Sequence, residues 1–249
     1  MVGDAAGWAL IGPDARIRAW AAAARRVALQ VLADGGDWRC GGTWFVGVDA
    51  LPNEADGRAG GVAFPWEALP LPAVPLHRGQ VSVIRPGYPG ASPAETEAAF
   101  MYRLRRDAAH LDGVLAIGAE GRRFVKEPHG WILGLPLNEC GAGAAPLVVW
   151  EDSHRVMRAE LRAALAGHPE AAWGEVDLTD AYKAARRKVF ETCRRMELPA
   201  SPGQATLIHR LALHGVAPWK AGAAAPPEGR MIAYFRPQLA SVAEWLAED

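Results

Sequence analysis

His110 and Asp112 lie two residues apart, a spacing that lets both side chains serve one metal ion. In an extended strand successive side chains alternate between faces, so an imidazole and a carboxylate at this spacing point to the same side. A third ligand must come from elsewhere in the chain; His214 is the preferred candidate and His209 the alternative. Two histidines and one carboxylate that leave the opposite positions open suit a non-haem Fe(II) site. Taken alone, His110 and Asp112 fit an ordinary polar pair better than a metal site; the further motifs in the chain favour a metal centre at His110, Asp112 and His214.

The composition of the 249-residue chain allows a well-buried core, since half of the residues are hydrophobic and 22% are charged. A formal net charge of −1 gives no general attraction to nucleic acid or to anionic membranes. The three cysteines stand far apart without a zinc-binding spacing, which favours reduced thiols. The first residues lack the features of a secretory signal, and no apolar run reaches the ~18 residues of a membrane span. We therefore expect a cytoplasmic protein with neither nucleic-acid nor membrane partners.

Short strand-like segments separated by turn residues dominate the chain. A helix is predicted from Asp14 to Ala33, where apolar residues recur at helical spacing before a Gly-Gly pair. Residues 49–79 are rich in Gly and Pro and are predicted to form a long ordered loop with a short helix near Trp66. Further strands are predicted at 40–48, 80–85, 128–136, 145–150, 205–209 and 231–235 and through His110 and Asp112; further helices at 92–103, 153–166 with Ser153 as cap, 179–195 and 238–246. This pattern indicates a jelly-roll or cupin-like barrel with helical additions.

The order of four motifs resembles the phytanoyl-CoA dioxygenase-like branch of the Fe(II)/2-oxoglutarate oxygenases. Members of that branch carry His-x-Asp, a Pro-Gly-Ser-His turn, Pro-Gly-Asp before a distal His, and then an Arg. Here the second motif ends in Ser153-His154 without Pro-Gly, and the third reads Pro202-Gly203-Gln with Gln in place of Asp. Arg230 follows His214 by sixteen residues. The similarity covers about residues 80–237, and neither departure touches a presumed ligand.

The resemblance implies a mainly β fold with helical additions and a double-stranded β-helix (jelly-roll, cupin-like) core. We expect a single oxygenase domain over 1–249, with an N-terminal helical and loop region to about 79 and a jelly-roll core from about 80 to 237. By the resemblance, His110, Asp112 and His214 hold Fe(II), and Arg230 binds the distal carboxylate of the cosubstrate 2-oxoglutarate. A bidentate guanidinium suits a carboxylate.

The implied reaction uses O2 to hydroxylate a C–H bond of a small molecule, with release of succinate and CO2. Because Asp112 is present, no vacated ligand position is left for chloride, so hydroxylation is favoured over halogenation. The alternatives are a cupin-like metal enzyme that does not use 2-oxoglutarate and a non-catalytic member that binds a ligand. The oligomeric state is left open between monomer and homodimer.

Several other residues have two possible roles on sequence alone. His154 is expected to be structural, fixing its turn, and Arg85 to be a solvated residue at a strand end. Either the substrate pocket or the core could hold the remaining candidates: Trp44, Gln80, Ser82, His129 and Trp131.

Overall fold

The computed structural model describes residues 6–93 and 95–248. Its strands are β1 Trp8–Ile11, β2 Trp38–Arg39, β3 Trp44–Phe45, β4 Gln80–Ile84, β5 Val114–Ile117, β6 Arg122–Val125, β7 Trp131–Pro136, β8 Leu147–Trp150, β9 Arg195–Leu198, β10 Ala205–His209, β11 His214–Val216 and β12 Arg230–Phe235. Its α-helices are α1 Ala15–Ala33, α2 Glu97–Arg105, α3 Ser153–Leu165, α4 Thr179–Thr192 and α5 Val242–Leu246. Short 3-10 helices cover Trp66–Ala68 and Glu170–Glu175.

Two antiparallel sheets form the core of the fold. The larger sheet has the strand order β1-β10-β7-β12-β4-β3-β2, and the smaller has the order β11-β8-β9. Apolar side chains from the two sheets pack together, among them Ile132 of β7, Val149 of β8, Leu198 of β9 and Ile208 of β10. A separate hairpin joins β5 to β6. The prediction of a mainly β fold with helical additions and a jelly-roll core is confirmed.

Helix α1 covers the outer face of the larger sheet. Asp14 starts it, because its carboxylate accepts a hydrogen bond from the backbone N–H of Arg16. Ile17 and Trp20 then recur on the buried side and pack against the sheet, where Phe235 of β12 belongs to the same cluster. Burying each such large side chain contributes about 1.5–3 kcal/mol. The helix therefore supports the strands of the larger sheet from outside the barrel.

Helices α3 and α4 cover the outer face of the smaller sheet. Met157 and Leu161 of α3 and Val189 of α4 are fully buried in one cluster with Val148 and Trp150 of β8. The same spacing of apolar residues that predicts these helices also determines which side of each helix is buried.

Among the described residues, no helix is both long enough and apolar enough to cross a membrane.

The side chains of strand β12 point alternately to the barrel interior and to the helix layer outside it. Met231, Ala233 and Phe235 belong to the cluster that contains α1, whereas Ile232 and Tyr234 border cavities between the sheets. In β4, which pairs with β12, Gln80 and Ser82 likewise face the interior. The larger sheet thus presents a row of side chains to the interior at every second position.

Some predicted elements differ from the structure. His110 is not part of a regular strand; it forms an isolated β-bridge to His214. The predicted strand 40–48 is instead part of a short hairpin of β2 and β3. Ser153 is not the cap of α3: Asp152 precedes the helix, and the Ser153 hydroxyl accepts a hydrogen bond from the Leu213 N–H at 2.9 Å. The helix predicted over 179–195 ends at Thr192, and those predicted over 92–103 and 238–246 begin at Glu97 and Val242. The strands β1, β2, β5, β6 and β9 were not predicted.

Candidate metal centre

His110, Asp112 and His214 meet at one point between the two sheets. One potential ligand atom from each lies within 4.8 Å of the others. Asp112 Oδ1 is 3.3 Å from His110 Nε2 and 3.8 Å from His214 Nε2. This set of donors, two imidazole nitrogens and a carboxylate oxygen, suits a divalent transition metal with open positions. The structure therefore brings together the three residues predicted to form the site.

Backbone hydrogen bonds determine which ring nitrogen each histidine offers. His110 Nδ1 lies 3.0 Å from the Ala108 carbonyl oxygen, and His214 Nδ1 lies 2.9 Å from the Ala212 carbonyl oxygen. A carbonyl oxygen can only accept, so each Nδ1 carries the proton and each Nε2 is the atom left to bind a metal. Both Nε2 atoms are the ones that face Asp112. The rings are therefore oriented as metal ligands require.

The backbone around His110 and His214 is held in close register. The two residues exchange a pair of hydrogen bonds, His110 N to His214 O at 2.8 Å and His214 N to His110 O at 3.1 Å. Gly215 passes so close that a Cβ atom there would lie 2.1 Å from the Asp107 carbonyl oxygen. Asp107 and Ala108 both have φ near +52°, which is unfavourable for residues other than glycine. The surrounding contacts must therefore hold this turn in place.

One of those contacts is a two-pronged ion pair. The Arg195 guanidinium of β9 donates to both carboxylate oxygens of buried Asp107, at 2.7 Å from Nε and 2.8 Å from Nη2. Forked charge-assisted bonds of this kind fix geometry as well as adding stability. The strand that the sequence did not predict thus anchors the turn that leads into His110.

Burial and neighbouring charges set the protonation states of His214 and Asp112. Burial and the charge of His110 lower the pKa of His214 to about 4, so its imidazole is neutral. Burial on its own would raise the pKa of Asp112. The hydrogen-bonding contact with His110 and the positive charge of Arg236 outweigh it and hold that pKa well below its usual range. A neutral imidazole and an ionised carboxylate are the forms that bind metal.

A cavity of about 330 Å³ opens in front of the three side chains. Its walls include Trp44, Gln80 and Ser82, and the Trp44 indole N–H donates to the Ser82 hydroxyl at 3.0 Å. Arg85 does not line it; its guanidinium stacks 3.8 Å from the ring centre of Trp38. The volume is within the range of about 300–1,000 Å³ typical of small-molecule sites.

Arg230 begins β12, and its side chain is 92% buried (8% exposed). Its guanidinium makes no hydrogen bond or ion pair with any described residue, and its Nε atom is buried. It lines a small cavity that shares the wall residues Leu147 and Tyr234 with the cavity of the three ligands. A buried guanidinium without a partner is costly. Its surroundings therefore suit an anionic ligand inside the barrel.

His209, the alternative third ligand, lies apart from the site. Its Nδ1 accepts a hydrogen bond from the Leu211 N–H at 2.9 Å, and its Nε2 is 3.2 Å from the Arg158 guanidinium. Its ring packs 4.7 Å from that of buried His154, a position consistent with a structural role for His154. Neither histidine is in the metal-binding group found among the described residues.

A second, larger cavity of about 920 Å³ adjoins the first. His129 and Trp131 line this outer cavity and do not line the inner one. Burial lowers the pKa of His129, and neither of its ring nitrogens has a hydrogen-bond partner in the described part of the chain. Val48 and Arg236 border both cavities. The two cavities are therefore neighbours that share part of their walls.

Arg236 is a residue of the site that its sequence context did not reveal. Its guanidinium donates to Asp112 Oδ2 at 3.1 Å and to Gln80 Oε1 at 2.7 Å. One feature of the sequence could have indicated it: Arg236 lies six residues after Arg230, an even spacing. If the strand continues to this position, both side chains face the same side of the sheet.

No protein-family model and no curated protein matches the sequence. Among solved structures, the chain is similar to the non-haem alpha-ketoglutarate-dependent carbocyclase SnoK from nogalamycin biosynthesis. The identity is 14% and the TM-score 0.54, over 96% of this chain and 81% of that one. It is also similar to EctD from S. alaskensis with bound Fe, at 15% identity and a TM-score of 0.43, over 94% of this chain and 73% of that one. At this level of identity, the likeness to SnoK shows a shared fold, the jelly-roll described above.

Proposed function

We propose that the protein is an Fe(II)- and 2-oxoglutarate-dependent oxygenase of the phytanoyl-CoA dioxygenase-like branch. The observation that carries the proposal is the convergence of His110, Asp112 and His214, with both Nε2 atoms turned towards one carboxylate oxygen. The order of motifs along the chain supports the branch. SnoK, with which the chain shares its fold, depends on the same cosubstrate. The reaction we propose is hydroxylation of a C–H bond of a small molecule.

The residues of the site have separate tasks in this proposal. The two imidazoles and the Asp112 carboxylate would hold the ion on one side and leave the cavity side open. Bound Fe(II) would supply the redox chemistry that couples O2 and the decarboxylation of 2-oxoglutarate to oxidation of the substrate. Apolar side chains, which include Ile132 and Ile208, form part of the cavity wall beside the open side of the ion.

Arg230 supports 2-oxoglutarate over a cupin-like chemistry without this cosubstrate. A dicarboxylate that chelates the metal through one end presents its other carboxylate to the barrel interior. The guanidinium of Arg230 can bind that carboxylate with two parallel hydrogen bonds. It would thereby gain the partner that the described chain does not provide.

Absorption spectroscopy under anaerobic conditions tests the proposal. Adding 2-oxoglutarate to the Fe(II)-loaded protein should produce the metal-to-ligand band of a chelated 2-oxo acid, and admission of O2 should release succinate. Asp112→Ala should lose the band, whereas the matched control His168→Ala, at an exposed position away from the site, should keep it. An iron-loaded wild-type protein that gives neither the band nor succinate would refute the assignment.

Several expectations from the sequence remain part of this proposal. They are a single oxygenase domain, a small-molecule substrate, a cytoplasmic location, the absence of nucleic-acid and membrane partners, and a monomeric or homodimeric state.

A further inference from the structure

The two oxygens of the Asp112 carboxylate have different surroundings. Oδ1 is the oxygen that lies near both imidazole Nε2 atoms, at 3.3 and 3.8 Å. Oδ2 accepts a hydrogen bond from Arg236 Nη1 at 3.1 Å. The side chain is nearly buried, with 10% of it exposed. One oxygen therefore points to the metal position, and the other is bound to a guanidinium.

Arg236 is itself held from two sides. Its Nη2 donates to Gln80 Oε1 at 2.7 Å, which ties the guanidinium to the paired strand β4. Its backbone N–H donates to His77 Nε2 at 2.9 Å, and His77 Nδ1 lies 2.7 Å from the Arg78 carbonyl oxygen. His77 thus holds the backbone of Arg236, and Gln80 holds its guanidinium beside Asp112.

The number of ligand atoms that Asp112 contributes matters for the proposed reaction. An octahedral ion has six positions, and two histidines plus one carboxylate oxygen fill three of them. A cosubstrate that chelates through two oxygens fills two more, which leaves one position for O2. A carboxylate that bound through both oxygens would occupy that last position.

We propose that Arg236 is a positioning residue that restricts Asp112 to a single ligand oxygen and so preserves the open coordination position. This inference rests on the proposed function, because it needs a metal at the three ligands. In this role Arg236 acts through its contact with Asp112. Outer partners of this kind orient metal ligands and tune the ion that they hold.

The ligand-field spectrum of Co(II) in the otherwise metal-free protein tests the inference, because it reports coordination number and geometry independently of turnover. Arg236→Met removes the Nη1 and Nη2 donors, and the methionine side chain is of similar length to that of arginine. We expect its Co(II)-saturated spectrum to shift and weaken relative to wild type, as an additional oxygen ligand requires. Arg236→Lys keeps a charged donor for Oδ2 and should retain the wild-type bands. Arg85→Met, an exposed arginine stacked on Trp38, is the matched control and should leave the spectrum unchanged.

The possible failures are distinguishable. If Arg236→Met and wild type give the same saturated spectrum, or if Arg236→Lys is shifted as much as Arg236→Met, the positioning role is refuted while the metal centre stands. If wild-type protein binds no Co(II), the metal centre itself is refuted, and this inference with it. If circular dichroism shows that Arg236→Met does not fold, Arg236→Gln replaces it, because its shorter amide cannot span the distance to Asp112.

Discussion

At the scale of single residues, the two candidates for the third ligand, His214 and His209, differ in what their ring nitrogens contact. His214 turns its free Nε2 towards Asp112, whereas both ring nitrogens of His209 contact other groups. We therefore expect His214→Ala to abolish stoichiometric Fe(II) binding and His209→Ala to leave it largely intact. A metal titration of both folded variants, read against His110→Ala, checks this ranking; the reverse order would assign the third ligand to His209.

Arg230 is a second residue whose role can be measured directly. Replacing it with Lys keeps the charge but loses the fork, so the apparent dissociation constant for 2-oxoglutarate should rise by about tenfold, which is ~1.4 kcal/mol. Arg230→Met should raise it further, because each charge-assisted hydrogen bond contributes about 1.5–3 kcal/mol. Titration of the anaerobic Fe(II) protein gives the constants. Iron affinity serves as the internal control, and equal cosubstrate affinity in wild type and Arg230→Met would contradict the assignment.

Those residues of the site that belong to a recognisable sequence motif could be predicted from the sequence. His110 and Asp112 are a local pair, and His214 and Arg230 follow in the order of a known family. Arg236 has no such motif, because its role depends on a contact with Asp112 across 124 residues of chain. An isolated arginine before a proline looks like a solvated strand end, and only the three-dimensional structure reveals its contact with the carboxylate.

At the scale of elements, the segments that carry His110 and His214 must approach unusually closely. Gly215 has no side chain where a Cβ atom would collide with the Asp107 carbonyl oxygen. Gly215→Ala should therefore separate the two segments and weaken Fe(II) binding by at least tenfold, which corresponds to about 1.4 kcal/mol. Gly12→Ala, where a Cβ atom meets nothing within 4 Å, is the control in the same metal titration. Unchanged affinity in a folded Gly215→Ala protein would show that the approach is not needed.

The elements that the sequence mispredicted share a physical cause. The turn before His110 requires two residues other than glycine at positive φ, a conformation that long-range contacts impose and that local composition does not reveal. Strand β9, Arg-Met-Glu-Leu, is short and polar and directly follows a helix, so its pairing with β8 is decided by the tertiary structure. By contrast, β4, β10 and β12 have strong apolar or β-branched patterns and were predicted to within one residue at each end, whereas β7 begins three residues later than predicted.

At the scale of the whole molecule, residues 6–79 support the barrel although the resemblance does not reach them. They add β1, β2 and β3 to the larger sheet and place Trp44 in the wall of the inner cavity. The helix that covers this sheet contains Trp20, which is fully buried, packs against Phe64 and Phe235, and donates to the Gly57 carbonyl oxygen at 2.9 Å.

We therefore expect Trp20→Ala to lower the free energy of unfolding by about 3–5 kcal/mol, because it leaves a large cavity and an unpaired carbonyl oxygen. Urea unfolding of the metal-free protein measures the change. Leu10→Ala, at a side chain that is 40% exposed, should cost far less. A loss for Trp20→Ala no larger than that of Leu10→Ala would mean that α1 does not stabilise the sheet.

The bridge between His110 and His214 joins two parts of the chain that are 104 residues apart in sequence. An ion held by both imidazoles would act as a removable cross-link that closes this long loop. Closing a long loop reduces the freedom of the unfolded chain, and a ligand that binds only the folded state adds to stability by mass action. The ion-loaded protein would then resist proteolysis longer than the ion-free protein.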